Sequence, residues 1–186
     1  NNMLPFQGST FSSVCDIPFG TVINVPADGN CGYHVLRLGL NDLGILPRNF
    51  RSISRMRKSI RDFSITTMET LQALLPAMVN SDFENFLQKV YDEKFGNFDR
   101  VVPHFYWMTM DYLPFVILLQ FNLKYVVIFA DVASDPRTYI YERKEGPLEL
   151  KFWNEKGFHF PGEAHHNANS IFMIWENESH FKYIKI

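Results

Sequence analysis

The chain has 186 residues, a formal net charge of −2, 46% hydrophobic and 20% charged residues. That length is enough to bury a core without disulfides or metals, and a content of 18 Phe excludes a disordered segment. The balanced charge gives no electrostatic footprint for nucleic acid. The most apolar stretch, 113–130, is interrupted by Pro114, Gln120, Asn122 and Lys124 and is too polar for a membrane span.

The two cysteines, Cys15 and Cys31, make no disulfide framework. They suit a reducing compartment, so the cytoplasm is the expected location. No basic-then-apolar secretory signal opens the chain. Asn1-Asn2-Met3 reads as the cut end of a larger parent, and residues 1–186 read as a single domain with its core over roughly 20–186.

In chain order, residues 20–25 are β-branched and stopped by Pro26, which predicts a strand. A polar turn, 27–30, follows. From Cys31, Val35, Leu36, Leu40 and Leu43 recur at helical spacing, with Gly44 placed to end the helix. Helices are also expected over 54–66 and 68–79, with Pro76 as a kink or end. Another opens at Ser81, whose partner Glu84 completes a capping box, and closes near Gly96. Arg48, Arg51, Arg55, Arg57, Lys58 and Arg61 recur at helical spacing and read as a solvated helix face.

Residues 104–122 are expected as a helix interrupted at Pro114, and 125–130 as a central strand. A hairpin is expected over 138–142 and 148–152, then a Gly/His/Asn-rich loop over 154–169. Two last strands, 171–175 and 181–186, are joined by the turn 176–179. Helices first and strands second argue an α+β fold.

The segment Asp28-Gly29-Asn30-Cys31-Gly32 joins a strand to a helix. A helix N-terminus carries partial positive charge and free N–H groups, which stabilise a thiolate. Gly29 permits the sharp turn, and the N–H groups of Gly29 and Asn30 are candidate oxyanion donors. Cys31 is therefore a candidate nucleophile, expected near the surface, whereas Cys15 reads as a small packing residue. Of six histidines, His180 lies at the head of the last strand, which holds an imidazole more firmly than a loop. It is the candidate base. His34, one helical turn from Cys31, reads as structural. His159, His165, His166 and Glu163 are the densest metal-ligand set but lack paired spacing, so they read as a surface loop, and no metal or other cofactor is expected.

Asp28-Gly29-Asn30-Cys31 opening a helix, a Trp-containing helix before an apolar strand, and the C-terminal pair His180-Phe181 together resemble the ovarian-tumour (OTU) family of cysteine proteases. The resemblance runs over roughly 20–186. It implies an OTU-like papain-type fold with a small central β-sheet flanked by helices. It also implies isopeptide hydrolysis of ubiquitin or ubiquitin-like conjugates by a monomer without a metal. Cys31 would be nucleophile and His180 base, with Asp28 in the loop that shapes the oxyanion hole.

Two positions depart from the family pattern. Many members place Asp or Asn two residues after the His to orient the ring, where this chain has Lys182, a donor only. The orienting acceptor must come from elsewhere, with Asp16, Asn24, Asn169 and Glu178 as candidates, or the pair works as a dyad. Gly32 stands where many members carry a bulky residue, which implies a looser helix start or a more open cleft. Two other readings compete. One is a viral or mobile-element protease that cuts its own polyprotein, which would place it in the host cytoplasm. The other is an inactive ubiquitin-binding module.

Overall fold

The computed structural model describes residues 21–77, 80–159 and 169–186. Cys15, Asp16, Glu163, His165 and His166 lie outside the described residues, as does the side chain of Ser81 on which the capping box rests.

Strand β1 (Thr21–Ile23) leads through a turn into α1 (Cys31–Asp42). A 3-10 turn (Arg48–Arg51), α2 (Ile53–Thr66), α3 (Met68–Leu74) and α4 (Asn80–Val90) follow. A second 3-10 turn (His104–Tyr106) precedes α5 (Leu113–Gln120). The rest is β2 (Tyr125–Asp131), β3 (Arg137–Lys144), β4 (Glu149–Lys156), β5 (Ser170–Glu176) and β6 (His180–Lys185). The six strands form one sheet in the order β1-β6-β5-β2-β3-β4. Among the described residues only the β2–β5 pairing is parallel; the others are antiparallel.

Continuous apolarity puts β2 at the centre, because a strand with buried faces on both sides needs no polar alternation. Val126 and Ile128 face the helices with Leu36, Leu40, Met56, Ile60 and Val116. Val127 and Phe129 face the opposite side with Phe158, Phe172 and Ile174. Helix α1 lies close on β5: a Cβ at Gly39 would fall 2.9 Å from Ile171.

Four expected elements differ. The helix expected over 104–122 exists only as Leu113–Gln120, with Pro114 in its first turn. Proline lacks an N–H and has a preset φ, so it starts this helix rather than interrupting it. Helix α4 stops at Val90, not near Gly96, because Arg57 takes the carbonyls of Lys89 and Val90 at its last turn. Helix α3 stops at Leu74 rather than near 79, two residues before Pro76, which disfavours helical backbone in the residue preceding it. Strand β4 continues to Lys156, beyond the start of the expected loop.

Candidate active site

The turn that ends in Cys31 is clamped by the segment 102–108. Val102 N–H donates to the carbonyl of Asp28 at 2.8 Å. Gly29 has φ +87°, and a Cβ there would lie 2.5 Å from Val102 Cγ2 and 2.8 Å from Trp107 Nε1. Only glycine meets both the conformation and the contact. At Gly32 a Cβ would lie 2.5 Å from Met108 Sδ. The room that a bulky residue after the cysteine would take is thus filled by Met108. This corrects the expectation of a looser, more open helix start. For the same reason Cys31 is buried, 7% exposed, rather than near the surface.

Asn30, buried, is turned inward. Its Nδ2 donates to the carbonyls of Phe98 (2.9 Å) and Arg100 (3.2 Å). Its Oδ1 accepts from Arg57 Nη1 at 2.7 Å. Arg57 also donates to the carbonyls of Val90, Lys89 and Tyr106 at 2.7, 2.8 and 2.6 Å. Its guanidinium lies between the rings of Tyr33 and Phe98, 4.1 and 4.3 Å from their centroids. Arg57 is fully buried, so it does not belong to the solvated face on which the basic cluster placed it. The sequence carried a signal for this. Ile53, Met56, Ile60 and Ser64 form the buried stripe of α2, and 57 falls within it. A charge there must find partners.

Asp28 faces its own turn. Oδ1 accepts the N–H of Asn30 at 2.8 Å, and Oδ2 lies 3.0 Å from His34 Nε2. Arg37 Nη2 lies 3.2 Å from His34 Nδ1. A guanidinium is only a donor, so Nδ1 accepts and Nε2 donates to Asp28. The Asn30 N–H, expected to serve an oxyanion, is occupied by Asp28. The N–H groups turned toward the sulfur are those of Phe181, Gly32 and Cys31.

The head of β6 meets the start of α1. Cys31 Sγ accepts from Phe181 N–H at 3.4 Å. The neighbouring His180 places Nε2 2.8 Å from Asn24 Oδ1. Of the four candidate orienting residues, Asn24 holds that position. Glu178 is exposed in the β5–β6 turn, Asn169 gives its carbonyl to Lys124 N–H, and Asp16 is outside the described residues. Asn24 Oδ1 also accepts Val25 N–H at 3.0 Å. The atom is therefore an acceptor, His180 Nε2 carries the proton, and Nδ1 is left as the basic nitrogen. Lys182 is paired with Glu176, Nζ to Oε2 at 2.8 Å, and Glu176 is the cross-strand partner of His180.

Burial pushes the Cys31 thiol up. The N–H groups of Phe181 and Gly32 oppose this, and the Asp28 charge adds to it. Burial, then the Lys182 ammonium, holds His180 below the usual imidazole range, with Glu176 opposing. Both shifts favour a resting thiol beside a neutral imidazole. A cleft of about 240 Å³ opens on Cys31, walled by Trp107, Met108, Trp175 and Phe181. Among the described residues no group of three or more His, Cys, Asp or Glu side chains could hold a metal.

No protein-family model and no curated protein matches the sequence. Solved structures do match. An OTU deubiquitinase from Wolbachia pipientis wMel superposes with a TM-score of 0.55 at 8% identity, covering 89% of this chain and 87% of that one. The Hazara virus OTU bound to ubiquitin gives a TM-score of 0.44 at 16% identity, covering 96% of each chain. The Wolbachia likeness establishes an OTU-like α+β fold, with a six-stranded sheet and five α-helices among the described residues.

Proposed function

We propose that this chain is a thiol-dependent deubiquitinase of the OTU type, with Cys31 as nucleophile, His180 as general base and Asn24 as the residue that orients the imidazole. The observation that carries this reading is the junction of α1 and β6. It sets the sulfur against the backbone beside His180 and fixes that ring in the tautomer a base requires. The fold is supporting context.

In this reading the Cys31 proton passes to His180 Nδ1 as Sγ attacks the carbonyl carbon of the scissile isopeptide bond. Free N–H groups at Gly29 and at the start of α1 receive the developing oxyanion. The imidazolium then protonates the departing amine, leaving a thioester on Cys31. Water, deprotonated by the same imidazole, hydrolyses the thioester and restores the thiol. Asn24 Oδ1 accepts the hydrogen bond from Nε2–H throughout. Because Asn24 is uncharged, it orients the imidazolium without the charge stabilisation that an aspartate gives. A cleft of this size, lined by Trp107 and Trp175, suits a slender tail such as the C-terminus of ubiquitin or a ubiquitin-like modifier.

The test is hydrolysis of ubiquitin carrying a C-terminal fluorogenic amide, beside Lys-linked ubiquitin dimers. Turnover is expected, abolished in Cys31→Ala, reduced by several orders of magnitude in His180→Ala, and unchanged in Cys15→Ala. Full activity in His180→Ala, or loss in Cys15→Ala, contradicts the assignment.

A further inference from the structure

Arg48, Arg51 and Arg55 line one surface cavity of about 460 Å³, together with Asn49 and Ser52. Arg48 and Arg51 are the two ends of the first 3-10 turn, where a spacing of three brings side chains onto one face. Arg55 follows four residues on, in the first turn of α2. The three side chains are exposed, and among the described residues none of their guanidinium groups has an ion pair or a hydrogen bond. Every other arginine donates to a protein acceptor. Arg37, Arg57, Arg100 and Arg143 reach the carbonyls of Arg51, Val90, Asn97 and Leu123. Arg61 and Arg137 reach the carboxylates of Asp62 and Asp135.

Like charges three and four positions apart repel. The chain nonetheless gathers its unpaired guanidinium groups in one concavity, with no carboxylate among the lining residues. The acids at its margins are already engaged. Asp99 accepts from Ser52 Oγ at 2.6 Å and from the Ile53 N–H at 2.7 Å, so it fills the N-terminus of α2. Asp62 borders the adjoining cavity, which shares Asn49 and Arg55, and accepts from Lys58 at 2.9 Å and Arg61 at 3.0 Å. The charge of the cavity is therefore that of three free guanidinium groups. Each presents a planar fork that matches two oxygens of a phosphate. The carboxylates that end the basic run on both sides, and the net charge of −2, oppose a long polyanion tracking over the surface. They leave room for a compact one.

We infer that this cavity is a binding site for a compact anion carrying several phosphate groups, either a polyphosphate chain or a polyphosphorylated ring. It shares no lining residue with the Cys31 cleft, so it is a second site. The inference does not depend on the proposed hydrolase activity. The site is open to water, so its affinity falls as salt is raised.

The experiment titrates the full chain by calorimetry with inorganic tripolyphosphate, with inositol hexakisphosphate and, as a long polyanion, with a single-stranded oligouridylate. At least one compact anion should bind at about one equivalent per chain, with Kd about 10 µM at low salt. The stronger of the two tells whether the source is a phosphate chain or a phosphorylated ring. Arg48→Gln, Arg51→Gln and Arg55→Gln should each weaken binding about tenfold, the size of one charge-assisted hydrogen bond, and the triple glutamine variant should not bind. Lysine at all three positions keeps the charge without the fork and should recover only part of the affinity. Arg137→Gln, at the start of β3, should bind as the wild type. The triple glutamine variant should keep its Tm, because the side chains it replaces hold no bond in the fold. No saturable binding of either compact anion overturns the inference, as does wild-type affinity in the triple glutamine or the triple lysine variant. Tighter binding of the oligouridylate, lost in the triple glutamine variant, overturns it in favour of a nucleic-acid surface.

Discussion

Asn24 Oδ1 and His180 Nε2 lie 2.8 Å apart although 156 positions separate them in the chain. The contact joins the exit of β1 to the head of β6, two strands that pair directly through Ile23 and Tyr183. In the proposed mechanism the sheet thus delivers the orienting acceptor that Lys182 cannot supply. Asn24→Ala should lower kcat about 5- to 30-fold, the loss of one hydrogen bond worth about 1–2 kcal/mol, with KM little changed. Asn24→Asp should retain activity and move the acid limb of the pH–rate profile upward, because a carboxylate favours the imidazolium. Steady-state kinetics across pH check both; an Asn24→Ala variant at wild-type kcat would make the pair a plain dyad.

The second expectation concerns pH. A base must be unprotonated, so activity is lost as pH falls through the His180 pKa. Burial and Lys182 hold that pKa below the usual value, so the acid limb should lie at lower pH than for a free imidazole. Lys182→Met removes the cation and should move the limb to higher pH. Glu176→Gln removes the opposing anion and should move it lower. Opposite movement in either variant contradicts the electrostatic account.

Gly32 and Met108 form the third test. Gly32→Ala drives a methyl group to within 2.5 Å of Met108 Sδ. It should destabilise by about 1–3 kcal/mol, as overpacking does. Met108→Ala opens that space. In a double-mutant cycle by urea unfolding, the two changes together should cost less than their sum. Additive costs would mean that Met108 does not fill the space above the helix start.

Much of this arrangement was legible in the sequence, and the parts that were not have physical reasons. The strand-turn-helix at Cys31 is local, written in Asp28, Gly29 and the apolar spacing after it. The final hairpin is equally local. The Asn24 contact is set by strand pairing over the whole chain, so the sequence offered it only as one of four candidates. Residues 104–112 mimic helical spacing with Trp107 and Met110. Those side chains instead pack from an irregular segment onto the Cys31 turn and the core, and Pro114 marks the true start of α5. Arg57 shares its charge and spacing with its solvated neighbours, and only its place on the buried stripe of α2 sets it apart.

Arg57 supplies the fourth expectation. It ties Asn30 to the carbonyls of α4 and of Tyr106 through four hydrogen bonds. Lysine cannot reproduce the planar fork. Arg57→Lys should lower unfolding stability by about 3 kcal/mol, since several buried acceptors lose their donor. It should also slow turnover by loosening the turn before Cys31. A variant as stable as the wild type in guanidinium unfolding would show that these bonds contribute nothing net.

The most direct test of the central claim is covalent capture. Ubiquitin bearing a C-terminal electrophile, incubated with the intact chain, should give one adduct of protein plus ubiquitin, and peptide mapping by mass spectrometry should place the bond on Cys31 Sγ. His180→Ala should slow its formation. An adduct on Cys15, or no adduct under conditions where a known thiol deubiquitinase is fully labelled, would contradict the account.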